Sequence, residues 1–454
     1  MKHKNKPFKS RNMTEGSIPR LLITFAIPLL LGNIFQQFYN MVDSWVVGNY
    51  VSNEAFSAVG TVGPIINMLI GFFMGLSSGA GVVISQFFGA QKDDRVQDTV
   101  HTAIAMTIIL AVIITAAGIL LIPVLLGFMN TPAEVLPEAK KYLTIIFAGV
   151  SGLMFYNIGA STLQAIGDSK RPFYFLATAA ILNIIGDLVF VLLFRMGVEG
   201  VAYATIIAQA VSAVLIMRTL MRTKFCVHLY PKKIRLHWDI LVRIVRVGIP
   251  AALQMAIISF SNIFVQSYIN QFGADVMSGW TAYSKIDALM LLPMQSIGLA
   301  TTTFVGQNIG VGKVDRVRKG VRTALLMSLA ATVIPMIPVM IFAPQLVTFF
   351  NRKPEVVEYG TLILRWISPF YAITCSSNVQ SAALRGTGDT KAPMVIMIFS
   401  FVVFRQIYLF VMSHFISNTF LPIAMGYPAG WMLCTILTAV YYLNADLGRN
   451  RLTA

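Results

Sequence analysis

The chain has 454 residues and a net charge of +16, and 56% of its residues are hydrophobic while only 12% are charged. So apolar a composition excludes an ordinary water-soluble domain and indicates an integral membrane protein. The excess of basic residues does not indicate nucleic-acid binding, because no recognition motif accompanies it.

Twelve apolar stretches follow one another along the chain, each long enough to cross a bilayer as a helix of roughly 20 residues. They do not alternate apolar with polar residues, so we predict an all-α integral membrane fold that leaves no soluble domain. The predicted spans are approximately 20–47, 56–84, 99–126, 141–165, 173–195, 198–220, 240–270, 276–305, 320–346, 359–384, 393–414 and 420–444.

Basic residues alternate between the two sides of this predicted bundle. Most of the 35 Lys and Arg residues fall on the side of the N-terminus, and the densest cluster lies between Arg218 and Arg246. The positive-inside rule therefore predicts that both termini are cytoplasmic, in a multi-pass protein of the cell membrane. We expect the basic cluster to contact lipid headgroups.

The second half of the chain repeats the first. Residues 85–104, SQFFGAQKDDRVQDTVHTAI, align with residues 306–325, GQNIGVGKVDRVRKGVRTAL, with nine of the twenty positions identical. At the same spacing GDSKRP at 167–172 meets GDTKAP at 388–393. We predict two six-helix lobes, 1–220 and 239–454, joined by a basic cytoplasmic linker at 221–238.

An even number of spans in each half gives both halves the same orientation in the membrane. The halves are then related by a pseudo-two-fold axis along the membrane normal. Such parallel repeats are typical of secondary transporters, in which the substrate path lies between the halves. The sequence therefore predicts a transporter and argues against an enzyme.

Among the charged side chains within the predicted spans we single out five: Asp43, Asp187, Lys285, Asp287 and Arg405. At the centre of a bilayer each costs on the order of 3 kcal/mol or more, so each requires a partner, a water-filled cavity or neutralisation. These residues are the strongest functional candidates in the sequence.

The acid of the first span ends a polar stripe. Gln36, Tyr39, Asn40 and Asp43 follow the spacing i, i+3, i+4 and i+7, which places them on one face of a helix. Because the rest of this helix is apolar, the stripe must face protein or water. We expect Gln36, Tyr39 and Asn40 to line a substrate cavity.

In the fifth span Asn183 and Asp187 share a helix face in the same way. If Asp43 and Asp187 converge in an apolar surrounding, they cannot both stay ionised without cost, so a proton or a cation must neutralise them. The repeat places the uncharged residues Val265 and Tyr408 at the equivalent positions. An acid that maintained the fold would more often be present in both copies.

In the second half, Asp287 and Arg405 could meet near the middle of the membrane. Two interpretations stay open: a structural ion pair, or a cavity acid that attracts cations, with Lys285 as a competing partner. We expect Asp287 and Arg405 to line the substrate cavity.

Prolines occupy equivalent places in the first and seventh spans, at Pro28 and Pro250. Each removes one helical hydrogen bond, to the carbonyl groups of Thr24 and Arg246 respectively, and so predicts a helix bend. The bend is either a fixed kink or a hinge.

In combination the motifs resemble those of the multidrug and toxic compound extrusion (MATE) transporters, over essentially the whole chain. They are an early IP in spans one and seven, VDSWVVG at 42–48, QFFGAQKDDRV at 86–96, QNIGVGKVDRV at 307–317, the two GD-S/T-K-x-P turns, NIIGD at 183–187 and GVEGVAYAT at 197–205.

The resemblance implies a cation site made by an Asp of span one, an Asn and an Asp of span five and a Thr of span six. By motif these are Asp43, Asn183, Asp187 and Thr205. It further implies export of bulky organic compounds, often cationic and aromatic, in exchange for an inward flow of H⁺ or Na⁺. Some members also use acids of the second lobe; since span seven has none here, that role would fall to Asp287.

The expected partners are small-molecule organic cations and other xenobiotics, together with membrane lipid. We expect no nucleic acid, no cofactor and no metal beyond Na⁺, and a monomeric protein. One alternative is a flippase of lipid-linked precursors from the same superfamily, which would need a strongly cationic cavity. Another is a membrane prenyltransferase, which would need paired Asp-rich motifs for magnesium, whereas Asp93-Asp94 is the only adjacent acidic pair.

Overall fold

The structure is a computed structural model that describes residues 12–129, 131–449 and 452. The described residues form helices joined by short turns, without a β-strand. The helices of the first half are α1 (Ile18–Tyr50), α2 (Asn53–Gly89), α3 (Asp93–Phe128), α4 (Leu136–Ala165), α5 (Lys170–Leu188) and α6 (Val198–Arg222). A π-helical turn, Val189–Leu193, extends α5.

The second half repeats this order with more interruptions. Its helices are α7 (Trp238–Asn270), α8 (Ala274–Gly310), α9 (Val314–Ile341), α10 (Ala343–Phe350), α11 (Pro354–Ile367), α12 (Tyr371–Thr387), α13 (Lys391–Ile398), α14 (Arg405–Val411), α15 (Phe420–Ala424) and α16 (Gly426–Asn444). A π-helical turn at Phe399–Phe404 joins α13 to α14, and a second at Met412–Ile416 extends α14.

Eleven helices in the described part of the chain are long and apolar enough to cross a membrane. They correspond to the predicted spans except the tenth, which the 3₁₀ turn Ser368–Phe370 divides into α11 and α12. Pro369 lies in this turn and has no N–H to continue an α-helix, which explains the break. The predicted ninth span also ran too far, because α9 ends at Ile341 and α10 is separate.

The first helix is shared between the two halves. Toward its start, Leu22 and Phe25 belong to the same hydrophobic cluster as Phe304 of α8. Toward its end, Val46 and Val47 belong to a cluster formed with the other helices of the first half. The two ends of α1 are therefore packed in different halves of the protein.

The seventh helix, α7, is also packed in both halves, but its start lies in the first half and its end in the second. Ile240 and Ile244, near its start, lie in a cluster of first-half residues. Val265 and Ile269, near its end, lie in the main cluster of the second half. This reciprocal packing is what a pseudo-two-fold axis between the halves requires.

Glycine residues allow α2 and α7 to pack closely. A Cβ atom at Gly75 would lie 2.4 Å from the backbone of Ala252, and one at Gly79 would lie 2.5 Å from the backbone of Gly248. Small residues at such crossings let the helix backbones approach and gain van der Waals contact. The α2–α7 crossing is thus one of the contacts that join the two halves.

The two repeated GD turns have the same geometry. Gly167 and Gly388 adopt φ values of 87° and 96°, in the left-handed region that glycine tolerates. In each turn an Asp Oδ1 then accepts a hydrogen bond from the N–H three residues further on: Asp168 from Arg171 at 3.2 Å and Asp389 from Ala392 at 3.3 Å. Burial raises the pKa of the Asp168 carboxyl, whereas the backbone N–H and the guanidinium of Arg171 oppose that shift.

The basic segment between α6 and α7 is ordered against the first half. The Tyr230 N–H donates to His101 Nε2 at 3.0 Å, and the His237 N–H donates to Thr102 Oγ1 at 3.2 Å. Since His101 and Thr102 both belong to α3, this segment packs against the first half. The division into lobes at 220 and 239 stays a prediction.

Candidate functional site

Three helices of the first half carry the predicted ion-coupling residues. Asp43 of α1 is 7% exposed, and Asn183 and Asp187 of α5 are 2% and 0% exposed. Small residues bring the helices together: a Cβ atom at Gly186 of α5 would lie 2.9 Å from the Cβ of Ala204 in α6. Both acids are thus held inside the first half, as their periodicity predicted.

The two carboxyl groups lie close enough to interact with each other. Within the described residues no hydrogen-bond donor reaches Asp43 Oδ1, either carboxyl oxygen of Asp187, or Asn183 Oδ1. Buried acceptors without a donor, and above all ionised ones, are costly. The first half therefore contains four buried oxygen atoms that a proton or a cation would stabilise.

The threonine implied by the family resemblance lies at the same place. Asn183 Nδ2 donates to Thr205 Oγ1 at 3.4 Å, and Thr205 Oγ1 donates to the Val201 carbonyl within α6 at 3.0 Å. The amide nitrogen of Asn183 is therefore turned toward α6. Its oxygen remains available to a ligand.

Tyr142 of α4 is a neighbour that the sequence did not reveal. It is buried and interacts electrostatically with both Asp43 and Asp187. Its position in α4 follows no polar stripe of the kind that marks α1, so no periodic signal could have identified it.

The stripe of α1 leads from the surface to the buried acid. Asn40 is exposed, Gln36 and Tyr39 are half-buried, and the side chains of Gln36 and Tyr39 interact with each other. These residues supply amide and phenol groups beside the acid pair, as a polar wall of a substrate cavity would.

The predicted acid of the second half has a different surrounding. Asp287 Oδ1 accepts a hydrogen bond from the Tyr283 hydroxyl at 3.2 Å and a second, short one from the Tyr371 hydroxyl. A carboxylate that accepts two phenol hydrogen bonds is stabilised in place. Phenol donors thus take the place of a cationic partner.

The direct ion pair between Asp287 and Arg405 is the interpretation that the structure contradicts. Arg405 is 2% exposed, donates to Ser261 Oγ, to Asn262 Oδ1 at 3.0 Å and to the Phe401 carbonyl at 3.2 Å, and lies 4.8 Å from the ring centroid of Tyr427. Among the ion pairs of the described residues, none joins it to an acid. Hydroxyl, amide and carbonyl acceptors and an aromatic ring satisfy the guanidinium instead.

Lys285 does not compete for Asp287 either. Its side chain is exposed, whereas Asp287 points to the tyrosines of the second half. Three helical turns further along the same face of α8, Ser296 Oγ accepts from Asn33 Nδ2 of α1 at 3.5 Å. By helical spacing, Lys285 lies on the same side of α8 as Ser296, which contacts α1.

Both predicted bend prolines lie inside continuous helices, Pro28 in α1 and Pro250 in α7. The Arg246 carbonyl, which Pro250 deprives of its helical donor, accepts a hydrogen bond from Thr390 Oγ1 at 3.4 Å. The second GD turn thus supports the proline of α7 directly. The bends themselves stay predictions.

The donor set near Asp43 fits H⁺ or Na⁺ and does not fit a transition metal. No group of three or more His, Cys, Asp or Glu side chains within the described part of the chain is placed to hold a metal ion. Carboxylate, amide and hydroxyl oxygens are instead the groups with which transporters bind protons or sodium near the centre of the membrane.

A sequence profile of the MatE family matches residues 28–189 and, a second time, residues 250–411. The chain belongs to the MatE family. The two matches cover corresponding parts of the two repeats, which confirms both the resemblance and the duplication read from the sequence. With its long apolar helices, this member of the MatE family is a multi-pass membrane transporter.

Relatives match over nearly their full length. The probable multidrug resistance protein YpnP of Bacillus subtilis is 28% identical over 434 residues, which are 96% of this chain and 97% of YpnP. The probable multidrug resistance protein NorM of Thermotoga maritima is 27% identical over 436 residues, 94% of this chain and 92% of NorM.

The fold is also that of a solved transporter. An outward-facing structure of a multidrug resistance MATE family transporter of the MOP superfamily superposes with a TM-score of 0.90 at 24% identity, covering 97% of this chain and 98% of that one. The likeness confirms the predicted all-α fold of two six-helix repeats.

Proposed function

We propose that the protein is an antiporter that exports organic compounds, often cationic and aromatic, in exchange for inward H⁺ or Na⁺. The observation that carries this proposal is the pair of buried acids, Asp43 and Asp187, of whose four carboxyl oxygen atoms three lack hydrogen-bond donors in the described structure. The multidrug resistance names of YpnP and NorM support small xenobiotics as cargo.

In the proposed cycle, Asp43 and Asp187 take up the ion from the outer side, with Asn183 and Thr205 as further ligands. Uptake of a positive charge neutralises the site and weakens its attraction for a cationic compound. The ion-loaded protein then turns inward and releases the ion. Because linkage is reciprocal, drug and ion must each lower the affinity of the protein for the other.

The remaining assignments belong to the same proposal. Gln36, Tyr39, Asn40, Asp287 and Arg405 contribute to the substrate cavity, both termini are cytoplasmic, and the protein acts as a monomer in the cell membrane. The flippase alternative gains no support from the family match or from the relatives' names. Nor do the described spans present a cluster of exposed basic side chains, since Arg405 is buried within the second half.

Purified protein in proteoliposomes tests the proposal. Ethidium movement is followed by fluorescence while either a proton gradient or a sodium gradient is imposed, with protein-free liposomes as the control. We expect ethidium to move against its own gradient when one of the two ion gradients is present, and to stop when that gradient is collapsed. Movement that ignores both gradients would exclude antiport.

A further inference from the structure

Two buried glutamines join the halves of the protein at the end where its termini lie. Gln86 of α2 and Gln307 of α8 occupy equivalent places in the repeat and are both 0% exposed. Gln86 Nε2 donates to the Gly386 carbonyl at 3.0 Å, and Gln307 Nε2 donates to the Ala165 carbonyl at 2.8 Å. Each half thus donates one side-chain hydrogen bond to the backbone of the other, at matching positions.

The glutamines can exchange these bonds because the helices touch at glycine. A Cβ atom at Gly89 would lie 2.0 Å from the Gln307 carbonyl oxygen, and one at Gly310 would lie 2.1 Å from the Gln86 carbonyl oxygen. No side chain larger than hydrogen fits at either place unless the helices separate. Gly89 and Gly310 are again equivalent in the repeat, so the contact is symmetric in both its bonds and its packing.

The ends of the chain complete the same contact. Gln307 Oε1 accepts a hydrogen bond from the Met13 N–H at 2.8 Å, and Gln86 Oε1 accepts one from the Leu452 N–H at 2.8 Å. Each glutamine therefore bonds one backbone group of the opposite half and one backbone group of a terminal segment. The N-terminal segment is further held by Asn308 Nδ2, which donates to the Met13 carbonyl at 3.2 Å.

A small polar cavity lies next to this contact, between α2, α4 and α8. Its volume of about 20 Å³ is enough for roughly one water molecule. Its lining includes Ser85 and Ala165, which adjoin the glutamine bonds, and five further polar side chains: Ser78, Ser161, Gln164, Thr302 and Thr303. The interface between the halves is thus polar on the side of the glutamines that leads toward the membrane centre.

We propose that Gln86 and Gln307, with Gly89 and Gly310, form the inner gate of the transport path. The hydrogen bonds across the halves close the path at the end that carries the termini, and they must break in every transport cycle. The hydroxyl-lined cavity is the part of the path directly behind the gate. This inference rests on the proposed transport function, but its test uses no transported compound.

The test measures access to the cavity with a cysteine in place of Thr303. Thr303→Cys is introduced with and without Gln86→Met and Gln307→Met, which keep side-chain length and remove the hydrogen bonds. Inverted membrane vesicles, which present the cytoplasmic face, are treated with a membrane-impermeant maleimide. Modification at position 303 is read by peptide mass, so the native cysteines do not interfere.

Each glutamine substitution should raise the modification rate about fivefold, the change expected when one typical hydrogen bond is lost. Both together should raise it further, by a factor that need not be the product of the two, because the glutamines belong to one contact. Gln97→Met on α3, which takes no part in the contact between the halves, should leave the rate unchanged. Gly310→Ala, which forces the helices apart, should raise the rate without any change to the glutamines. The gate proposal would be overturned if Thr303→Cys with both glutamine substitutions were modified no faster than Thr303→Cys alone. The same increase in the modification rate with Gln97→Met would also overturn it.

Because no drug is present, a failed gate test and a failed efflux test are distinguishable. Loss of ion-coupled ethidium movement with intact gate kinetics would contradict the antiport proposal only. Intact antiport with unchanged modification rates would contradict the gate only.

Discussion

The two halves of the molecule repeat the same helices but surround their buried acids in opposite ways. In the first half, Asp43 and Asp187 face each other, and oxygen atoms of both lack donors in the described structure. In the second half, Asp287 stands alone and accepts hydrogen bonds from Tyr283 and Tyr371. One half holds an acid pair that a positive charge would stabilise, and the other holds an acid that accepts hydrogen bonds from two tyrosines.

This difference indicates how a duplicated scaffold can divide its tasks. In the proposed mechanism the first half changes its protonation or ion occupancy, because binding of the ion relieves the cost of the buried oxygen atoms that lack donors. Binding of an ion would stabilise the second half less, and in the proposed mechanism Asp287 and the buried Arg405 instead shape the wall of the substrate cavity. Substitutions at the two acids should therefore have different consequences.

The largest effect is expected from removing a charge of the acid pair. Asp43→Asn or Asp187→Asn should abolish ion-driven ethidium efflux, because the remaining carboxyl no longer forms the paired site. Asp287→Asn should keep the ion dependence of efflux, since the amide oxygen still accepts the phenol hydrogen bonds. Efflux rates in whole cells with matched protein levels provide the measurement. If efflux by Asp187→Asn depended on the ion as efflux by the wild type does, the proposed difference between the acids of the two halves would be contradicted.

A smaller effect, on stability, is expected at the phenols. Tyr371→Phe should lower the free energy of unfolding by about 1–3 kcal/mol, because it removes a donor from buried Asp287. Tyr359→Phe is the control, since the Tyr359 ring packs against Phe420 and is retained. Denaturant unfolding in detergent micelles measures both. No difference between the two variants would show that Asp287 does not depend on its phenol.

A still smaller effect is expected at the threonine of the site. Thr205→Val should raise the ion concentration for half-maximal efflux about fivefold, the effect of roughly one hydrogen bond. Thr205→Ser keeps the hydroxyl and should stay close to the wild type. The comparison is made by titrating the coupling ion in proteoliposomes at fixed drug concentration. If Thr205→Ser required as high an ion concentration as Thr205→Val, the site would depend on side-chain shape and not on the hydroxyl.

The smallest effect is expected at the proline of the second half. Thr390→Val removes the donor to the Arg246 carbonyl and should cost about 1 kcal/mol or less, because the bond is long at 3.4 Å. Thr390→Ser should be near neutral. Unfolding free energies of the two variants test whether the GD turn supports α7. A loss of transport without a loss of stability would instead favour a hinge.

The sequence predicted the first-half site better than the second-half site for a physical reason. The acids of α1 and α5 belong to polar stripes with helical spacing, so local periodicity was enough to place them inside the protein. Asp287 is held by Tyr371, 84 residues away in the chain. Only the folded structure brings such groups together, and a phenol gives no charge signal that would mark it as a partner.

The contact of Gln86 and Gln307 between the halves shows a second limit of prediction from the sequence. The repeat alignment already paired Gln86 with Gln307 and Gly89 with Gly310, but identity between repeats does not say that the residues meet. Only the structure shows that α2 and α8 cross at these residues. The broken tenth span shows the reverse case, since Pro369 is visible in the sequence but an apolar run hides the break.

The most direct test of the central claim counts the ions released when drug binds to the purified protein. Proton release is read in weakly buffered solution, and sodium release with an ion-selective electrode, at saturating ethidium. We predict that the wild type and Asp287→Asn release the coupling ion on drug binding and that Asp43→Asn releases none. Undiminished release from Asp43→Asn, or its loss from Asp287→Asn alone, would contradict the assignment of coupling to the first half.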